Sequence, residues 1–388
     1  MGQAVETKNW ENQDLARDLT IAVDGMGGDF GPSVVIPGAE IAHVRHPDVR
    51  FLIFGDETEI RAELEKTPKL ADASTVVHTD VSISMNDKPS QALRRGRKTS
   101  SMWRAIDSVK QGEAQAAMSA GNTGALMAMS KVILKTMPNI DRPALAALIP
   151  TMRGESVMLD CGATIGPESK QLVQFAVMGE AYAKVLFGFD KPSVGLLNIG
   201  EEEMKGTESV KVAAQMLRES NLPIHFHGFI EGDDIAKGTV DVVVTDGFTG
   251  NVAVKTAEGT ARLMSSYLRE GMTRSIFSKL GYLLAQTAFN MLRDRLDPNV
   301  HNGGLFMGLN GLVVKSHGGA NAAGIASALD TTVDVASADL VQKIAADLAH
   351  LGDMDEENDA EHRNEVVASR GLQEALLQVL GLIFLSVW

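Results

Sequence analysis

The chain has 388 residues, 44% of them apolar, a formal net charge of −14 and one cysteine, Cys161. That is enough apolar material for one large α/β domain or two small ones, and it excludes intrinsic disorder. The acidic balance argues against duplex nucleic acid as a partner, because a phosphate backbone selects a basic surface. A lone cysteine excludes an internal disulfide and any cysteine-cluster metal site, and the nine histidines include no H-E-x-x-H. No metal and no cofactor are expected.

Residues 1–18 lack the apolar stretch of a signal peptide and read as a solvated arm. Gly2 would suit myristoylation, but Glu6 stands where Ser or Thr is wanted. No apolar run approaches the roughly 18 residues of a membrane span, so the expected compartment is the cytoplasm.

Strands are predicted over 20–24, 49–54, 75–78, 115–119, 145–150, 156–160, 193–198, 222–226, 241–245 and 311–315. Helices are predicted over 32–45, 56–66, 90–110, 123–136, 169–187, 207–219, 249–270, 275–296 and 319–349. The alternation predicts an α/β fold, a doubly wound and mostly parallel sheet covered on both faces. The strands at 145–150 and 156–160 sit close enough for an antiparallel hairpin.

The first strand, Thr20–Asp24, runs into a glycine-dense loop with Asp24, Gly25, Gly27, Gly28, Asp29 and Gly31, and a helix starts at Pro32. Phe30 stands where a G-x-G-x-x-G fingerprint needs its last glycine, so dinucleotide binding is not expected. A tight turn and a polar active-site wall are the remaining readings.

Arg94, Arg95, Arg97 and Lys98 form the strongest basic cluster in an acidic chain. A solvated helix face and a docking patch for an acidic partner or a phosphate both fit. Ala116–Ala125 then gives a small-residue strand, a turn and a helix start. Ser119, Asn122, Thr123 and the N–H groups of Gly121 and Gly124 make a candidate anion cradle. Ala117 breaks the G-x-S-x-G pattern that a serine nucleophile would use.

Asp160 ends another strand beside Cys161, which reads as inert core. Asn198 and Gly200 lead into Glu201-Glu202-Glu203-Met204-Lys205-Gly206. Consecutive acids do not converge on one ion, so no metal is assigned there. Lys205, just before a helix start, gains nothing from the dipole unless it faces an anion. Val242–Asn251 repeats the strand–Asp–Gly pattern with Asp246 and Asn251. Asp24, Asn122, Asp160 and Asp246 are expected to converge at one carboxyl edge of a parallel sheet.

Residues 252–297 read as a helical hairpin broken near Gly271. Its second arm carries Ile276, Phe277 and Leu280 beside Arg269, Arg274 and Lys279. Packing in a dimer and contact with a membrane surface both fit. His317, after the last strand, is a candidate general acid or base. The tail, 351–388, is acidic and then apolar.

Taken in order, IAVDGMGGDFGP, SAGNTGA, LDCGA, LNIGEEEMKG, DVVVTDGFTGN, GLNG and VVKSHG resemble the bacterial phosphate acyltransferase, or PlsX, family, over about residues 18–350. The resemblance implies a fold similar to isocitrate and isopropylmalate dehydrogenases, with acyl transfer from acyl carrier protein to inorganic phosphate. It implies a homodimer in peripheral contact with the membrane, its product passing to a membrane glycerol-3-phosphate acyltransferase. On this reading Ser119, Gly121, Asn122, Thr123 and Gly124 hold phosphate, and Lys205 neutralises phosphate or oxyanion charge. Asn251 donates to the carbonyl oxygen, while Asp246 and His317 orient groups or move protons. Asp24, Gly27, Gly28 and Asp160 line the active-site loops, and Arg94, Arg95, Arg97 and Lys98 dock the carrier. Thr164 and His301 depart from residues expected of the family, asparagine and tyrosine. Alternatives are an acyl-CoA phosphotransacetylase, a serine hydrolase using Ser119, and a membrane-associated scaffold without turnover.

Overall fold

A computed structural model of the chain describes residues 19–220, 222–289, 291, 299 and 302–348. The expected arm at 1–18, most of the hairpin beyond Phe289, His301 and the tail at 351–388 lie outside the described residues.

The strands, in chain order, are β1 (Thr20–Asp24), β2 (Arg50–Gly55), β3 (Ser74–His78), β4 (Ala116–Ser119), β5 (Ala144–Thr151), β6 (Gly154–Leu159), β7 (Ser193–Leu197), β8 (His225–Ile230), β9 (Val242–Val244), β10 (Gly304–Met307) and β11 (Leu312–Lys315). The helices are α1 (Pro32–Arg45), α2 (Glu57–Leu64), α3 (Pro68–Asp72), α4 (Pro89–Gly96), α5 (Ser101–Gln111), α6 (Thr123–Leu134), α7 (Ser169–Phe187), α8 (Glu208–Glu219), α9 (Gly232–Lys237), α10 (Gly247–Thr273), α11 (Ile276–Leu284) and α12 (Ala322–Ser337). The sheet orders its strands β3-β2-β1-β4-β11-β10-β5-β6-β9-β7-β8.

Nine of the ten predicted strands form within two residues of their expected bounds, while the one expected at 222–226 forms later, at His225–Ile230; β5 and β6 form the expected hairpin, with Ala146 opposite Leu159 and Thr151 opposite Gly154. β10 was not expected. It is a four-residue strand, too short for its period to show. The helix expected over 90–110 is two helices. The chain breaks at Arg97 and Lys98, where Lys98 takes a positive φ of 66°, and Ser100 recaps by accepting from the Trp103 amide at 3.2 Å.

Alternating strand residues divide the core between the two faces. Ile21, Val23, Val157, Leu159, Val242 and Val244 belong to one cluster that runs under α1, α7, α8 and α12. On the other face Ala22, Ala117, Phe306 and Val313 pack under α5 and α6. Met158, Val243 and Ile230 form a separate cluster with Ile235 of α9 and Val254 of α10. Only this second face is divided, and Leu145 touches both of its halves.

Strand direction decides where the site can be. β2, β1, β4 and β11 are parallel to one another, but β10 is antiparallel to both β11 and β5, and β5 is antiparallel to β6. The block β6-β9-β7-β8 therefore runs opposite to the block β3-β2-β1-β4-β11. The expected convergence of four strand ends at one carboxyl edge is thereby corrected. Asp24 and Ser119 leave one edge; Asp160 and Asp246 leave the other.

Gly38 sets the spacing of α1 on α12: a methyl group there would lie 2.5 Å from Ile325 Cβ. Gly38→Ala should destabilise by about 1–3 kcal/mol, because overpacking outweighs the helix-propensity gain. Gly259→Ala, in open space on α10, should stabilise by up to about 1 kcal/mol. Urea unfolding of the two variants should move in opposite directions.

Candidate active site

Three loops leave the carboxyl edge of β1, β4 and β11 and interlock there. Ser119 donates its hydroxyl proton to Asp24 Oδ2 at 2.7 Å and accepts from the Gly121 amide at 3.0 Å. The Asp29 amide donates to the Gly318 carbonyl at 2.9 Å. A side chain at Gly27 would meet the Gly121 and Ala120 nitrogens at 2.9 and 3.0 Å, and at Gly28, which holds a φ of +89°, one would lie 2.9 Å from the Gly318 oxygen. Glycine is needed in this loop for close approach of three backbones. Burial pushes the Asp24 carboxyl above the usual carboxylate range, with Ser119 and Lys315 opposing that rise.

Lys315 was missed in the sequence, although a cation closing an apolar strand was the available signal. It is 8% exposed, and its Nζ donates to the Ala120 carbonyl at 3.3 Å and to the Ser316 carbonyl. Burial first, then Lys255, pull its pKa down to about 8, while Asp29 and Asp24 oppose the shift. Asn302 was missed as well. Its amide donates to Ser316 Oγ at 2.8 Å and to the Gly324 carbonyl at 2.9 Å, and its oxygen accepts from the His317 amide at 3.0 Å. It thus fixes the turn that carries His317 against the start of α12.

The candidate phosphate ligands do not all stay available. Asn122 is the cap of α6: its oxygen accepts from the Ala125 amide at 2.9 Å, and its nitrogen donates to the carbonyls of Met85 and Asp87 at 2.7 and 3.1 Å. Ser119 and the Gly121 amide are occupied by each other and by Asp24. Ser119, Gly121 and Asn122 therefore shape the cradle, and the start of α6 that follows them has Thr123 exposed and Gly124 half-buried against Pro89.

The second group lies at the other edge. Asp160 is fully buried, and its carboxylate accepts from the amides of Leu145, Gly162, Ala163 and Thr164 at 2.6–3.1 Å. Burial raises its pKa and these amides oppose the rise. The Thr164 carbonyl accepts in turn from the Gly247 amide at 2.7 Å. Asn251 donates to the Cys161 carbonyl at 3.2 Å. The Cys161 thiol is buried, and burial pushes its pKa upward, so it stays protonated. Asp246 caps α10, accepting from the amides of Phe248 and Thr249 at 2.9 and 3.1 Å. Lys205 sits in the loop after β7, half exposed, with its Nζ 3.9 Å from Glu202. It is six strand positions from β4, and no hydrogen bond ties it to the cradle among the described residues.

What joins the two groups is α10. It starts beside Asp160, packs Val254 against the β5–β6 face, and brings Lys255, Glu258 and Arg262 into electrostatic reach of His317. His317 is exposed on one side. Its pKa is lowered from the ordinary 6.5 by burial chiefly, with Glu258 opposing and Lys255, Lys315 and Arg262 adding to the fall. The imidazole is therefore neutral at pH 7 and able to accept a proton.

Lys315 has a stability signature. Between pH 8 and 10.5 the unfolded chain keeps the lysine charged while the folded chain releases the proton. Stability then rises with pH across that window, by on the order of 3 kcal/mol from this group. Lys315→Met should lose this rise and be the more stable protein at neutral pH. Urea midpoints of both proteins at pH 7.5 and pH 10 measure the difference.

The chain matches the family model described as "Fatty acid synthesis protein" over residues 19–343. It is 70% identical to a phosphate acyltransferase of Parvibaculum lavamentivorans over 337 residues, 87% of this chain and 93% of the relative. It is 58% identical to a phosphate acyltransferase of Afipia carboxidovorans over 331 residues, 85% and 94% of the two chains. Among solved structures, the EutD phosphotransacetylase of Staphylococcus aureus shares the fold with a TM-score of 0.52 at 17% identity, over 82% of this chain and 94% of that one. With its motifs in order along one sheet and this likeness over nearly the whole of its relatives, the chain belongs to the phosphate acyltransferase, or PlsX, family.

Proposed function

We propose that the chain is an acyltransferase that moves a fatty acyl group from a thioester to inorganic phosphate, giving an acyl phosphate for phospholipid synthesis. The observation that carries this is the 70% identity to a phosphate acyltransferase across 87% of the chain. A phosphate oxygen attacks the thioester carbonyl carbon, a C–O bond forms, and the C–S bond breaks. The sulfur leaves as a thiolate that takes up a proton. Phosphate is itself the nucleophile, so the protein needs to hold it, neutralise it and steady the tetrahedral oxyanion.

Thr123, Gly124 and the start of α6 hold the phosphate, and Lys315 lies beneath with its charge available to the bound anion. Neutral His317 takes a proton from the attacking phosphate. Asn251 and Lys205, from the group that α10 joins to the cradle, meet the thioester carbonyl, Lys205 reaching in from its glycine-flanked loop. Asp24, Ser119, Asn122, Asp160 and Asp246 keep the loops in place. A covalent serine mechanism is disfavoured: Ser119 is 2% exposed and its hydroxyl donates to a carboxylate, Asp24, with no histidine bonded to it among the described residues.

The acyl donor on this reading is acyl carrier protein, and the product passes to a membrane glycerol-3-phosphate acyltransferase. No helix among the described residues is long and apolar enough to cross a membrane. Leu263, Met264 and Tyr267 of α10 are 50–61% exposed, and Ile276, Phe277 and Leu284 of α11 are 79–83% exposed. That much open apolar surface supports a homodimer packed along α10 and a tip that rests on lipid.

Thioester loss from a long-chain acyl carrier protein should require inorganic phosphate and yield acyl phosphate. Free fatty acid formed without phosphate would overturn the reading. The same turnover from acyl-CoA, with none from the carrier, would favour a phosphotransacetylase. Lys205→Ala should lower kcat at least tenfold with an unchanged melting temperature; near-normal turnover would remove Lys205 from the site. His317 must be neutral to accept a proton, so kcat should fall as pH drops through a value below 6.5. His317→Gln should lose that acid limb and about 100-fold in kcat.

A further inference from the structure

The tetrabasic run is not one surface. Arg95, though exposed, is tied to the loop before α4, donating to Asp87 at 2.7 Å and to the Ser82 carbonyl at 3.0 Å. Arg97 and Lys98 turn the other way, into a groove of about 450 Å³ between α5 and the end of α6. Arg104 and Lys110, on the outer side of α5, line the same groove, with Asp107 as the only acid. Its floor is apolar: Trp103 and Ile133 are 6% and 3% exposed. None of the four cations has a carboxylate within ion-pair distance among the described residues. Arg104 is steadied over the Phe54 ring, 5.9 Å from its centroid.

Four cations against one acid stand out on a chain of net charge −14. The groove is shallow and open. Its charges are strung out, Arg97 and Lys98 in the turn before α5 and Arg104 and Lys110 on α5 itself, whose 11 residues span about 16 Å. A point anion such as phosphate would need convergent donors; a strip of separated cations fits an elongated acidic partner. The place is also right for delivery. Ser101 and Met102, at the start of α5, lie under the cradle, where a side chain at Gly121 would touch Met102 at 2.5 Å.

We propose that this groove, and not the tetrabasic run as such, docks an acidic helix of the acyl carrier protein, beside the phosphate cradle. The assignment rests on the acyl transfer proposed above.

The test is binding of purified acyl carrier protein to the full chain by fluorescence anisotropy, together with steady-state turnover of its acyl form. Arg104→Glu/Lys110→Glu should weaken binding about tenfold or more, flatten its salt dependence and raise KM, with kcat within about twofold. Arg104→Lys/Lys110→Arg should bind as the parent does, and Lys69→Glu, on α3, should change nothing. The melting temperature of each variant shows that it is folded. Carrier binding and KM unmoved by the double reversal, or no carrier binding by the parent chain, would overturn the proposal. A parent that binds the carrier through this groove yet shows no phosphate-dependent turnover would overturn the activity and leave the docking assignment standing.

Discussion

The constraint on which this structure depends is the reversal of strand direction at the centre of its sheet. β10, β5 and β6 each pair antiparallel to a neighbour, and this turns half of the sheet over relative to the other half. Each strand step adds a twist of about 20°, so the five steps from β4 to β9 rotate the strands by about 100°. The loops of the two halves are therefore two walls. One wall holds the cradle of Asp24, Ser119, Lys315 and His317; the other holds Asp160, Asn251 and Lys205. The divided core of the second face follows the same line, with Leu145 common to its two halves.

Most of the polar residues at these strand ends serve backbone. Asn122 and Asp246 are helix caps, Asp160 gathers four amides, and Ser119 bridges Asp24 to Gly121. This is the ordinary fate of short polar side chains after a strand, where the first amides of a helix lack partners. On the proposed mechanism the chemistry then falls to Lys315, His317, Lys205 and Asn251 and to the amides at the start of α6.

The alternation of strands and helices was legible in the sequence because apolar strand residues and helix caps are local signals. The hairpin was legible because Gly154 and its neighbours separate two apolar runs. Strand direction was not. A four-residue strand, Gly304–Met307, reverses half of the sheet, and nothing local marks which neighbours it takes. The break at Arg97 and Lys98 was hidden because Lys98 carries the positive φ that glycine usually marks. Lys315 was overlooked because a lysine after three apolar residues reads as a strand end; only its neighbours in space show that its ammonium is enclosed. The family likeness held where local pattern did not, since it depends on the order of motifs and not on the direction of strands.

α10 is 27 residues long, about 40 Å of continuous helix, anchored at one end by Asp246. Lys255 lies about 12 Å from that anchor and the last turn about 39 Å. A helix of this kind is a lever with its pivot at the cap. A lateral movement of about 3 Å at the far end, where the exposed apolar side chains lie, becomes about 1 Å at Lys255. Lys255 is among the charges that set the protonation of His317 and Lys315. Whatever α10 and α11 lean against is thereby geared, at about one third, to the electrostatics of the cradle.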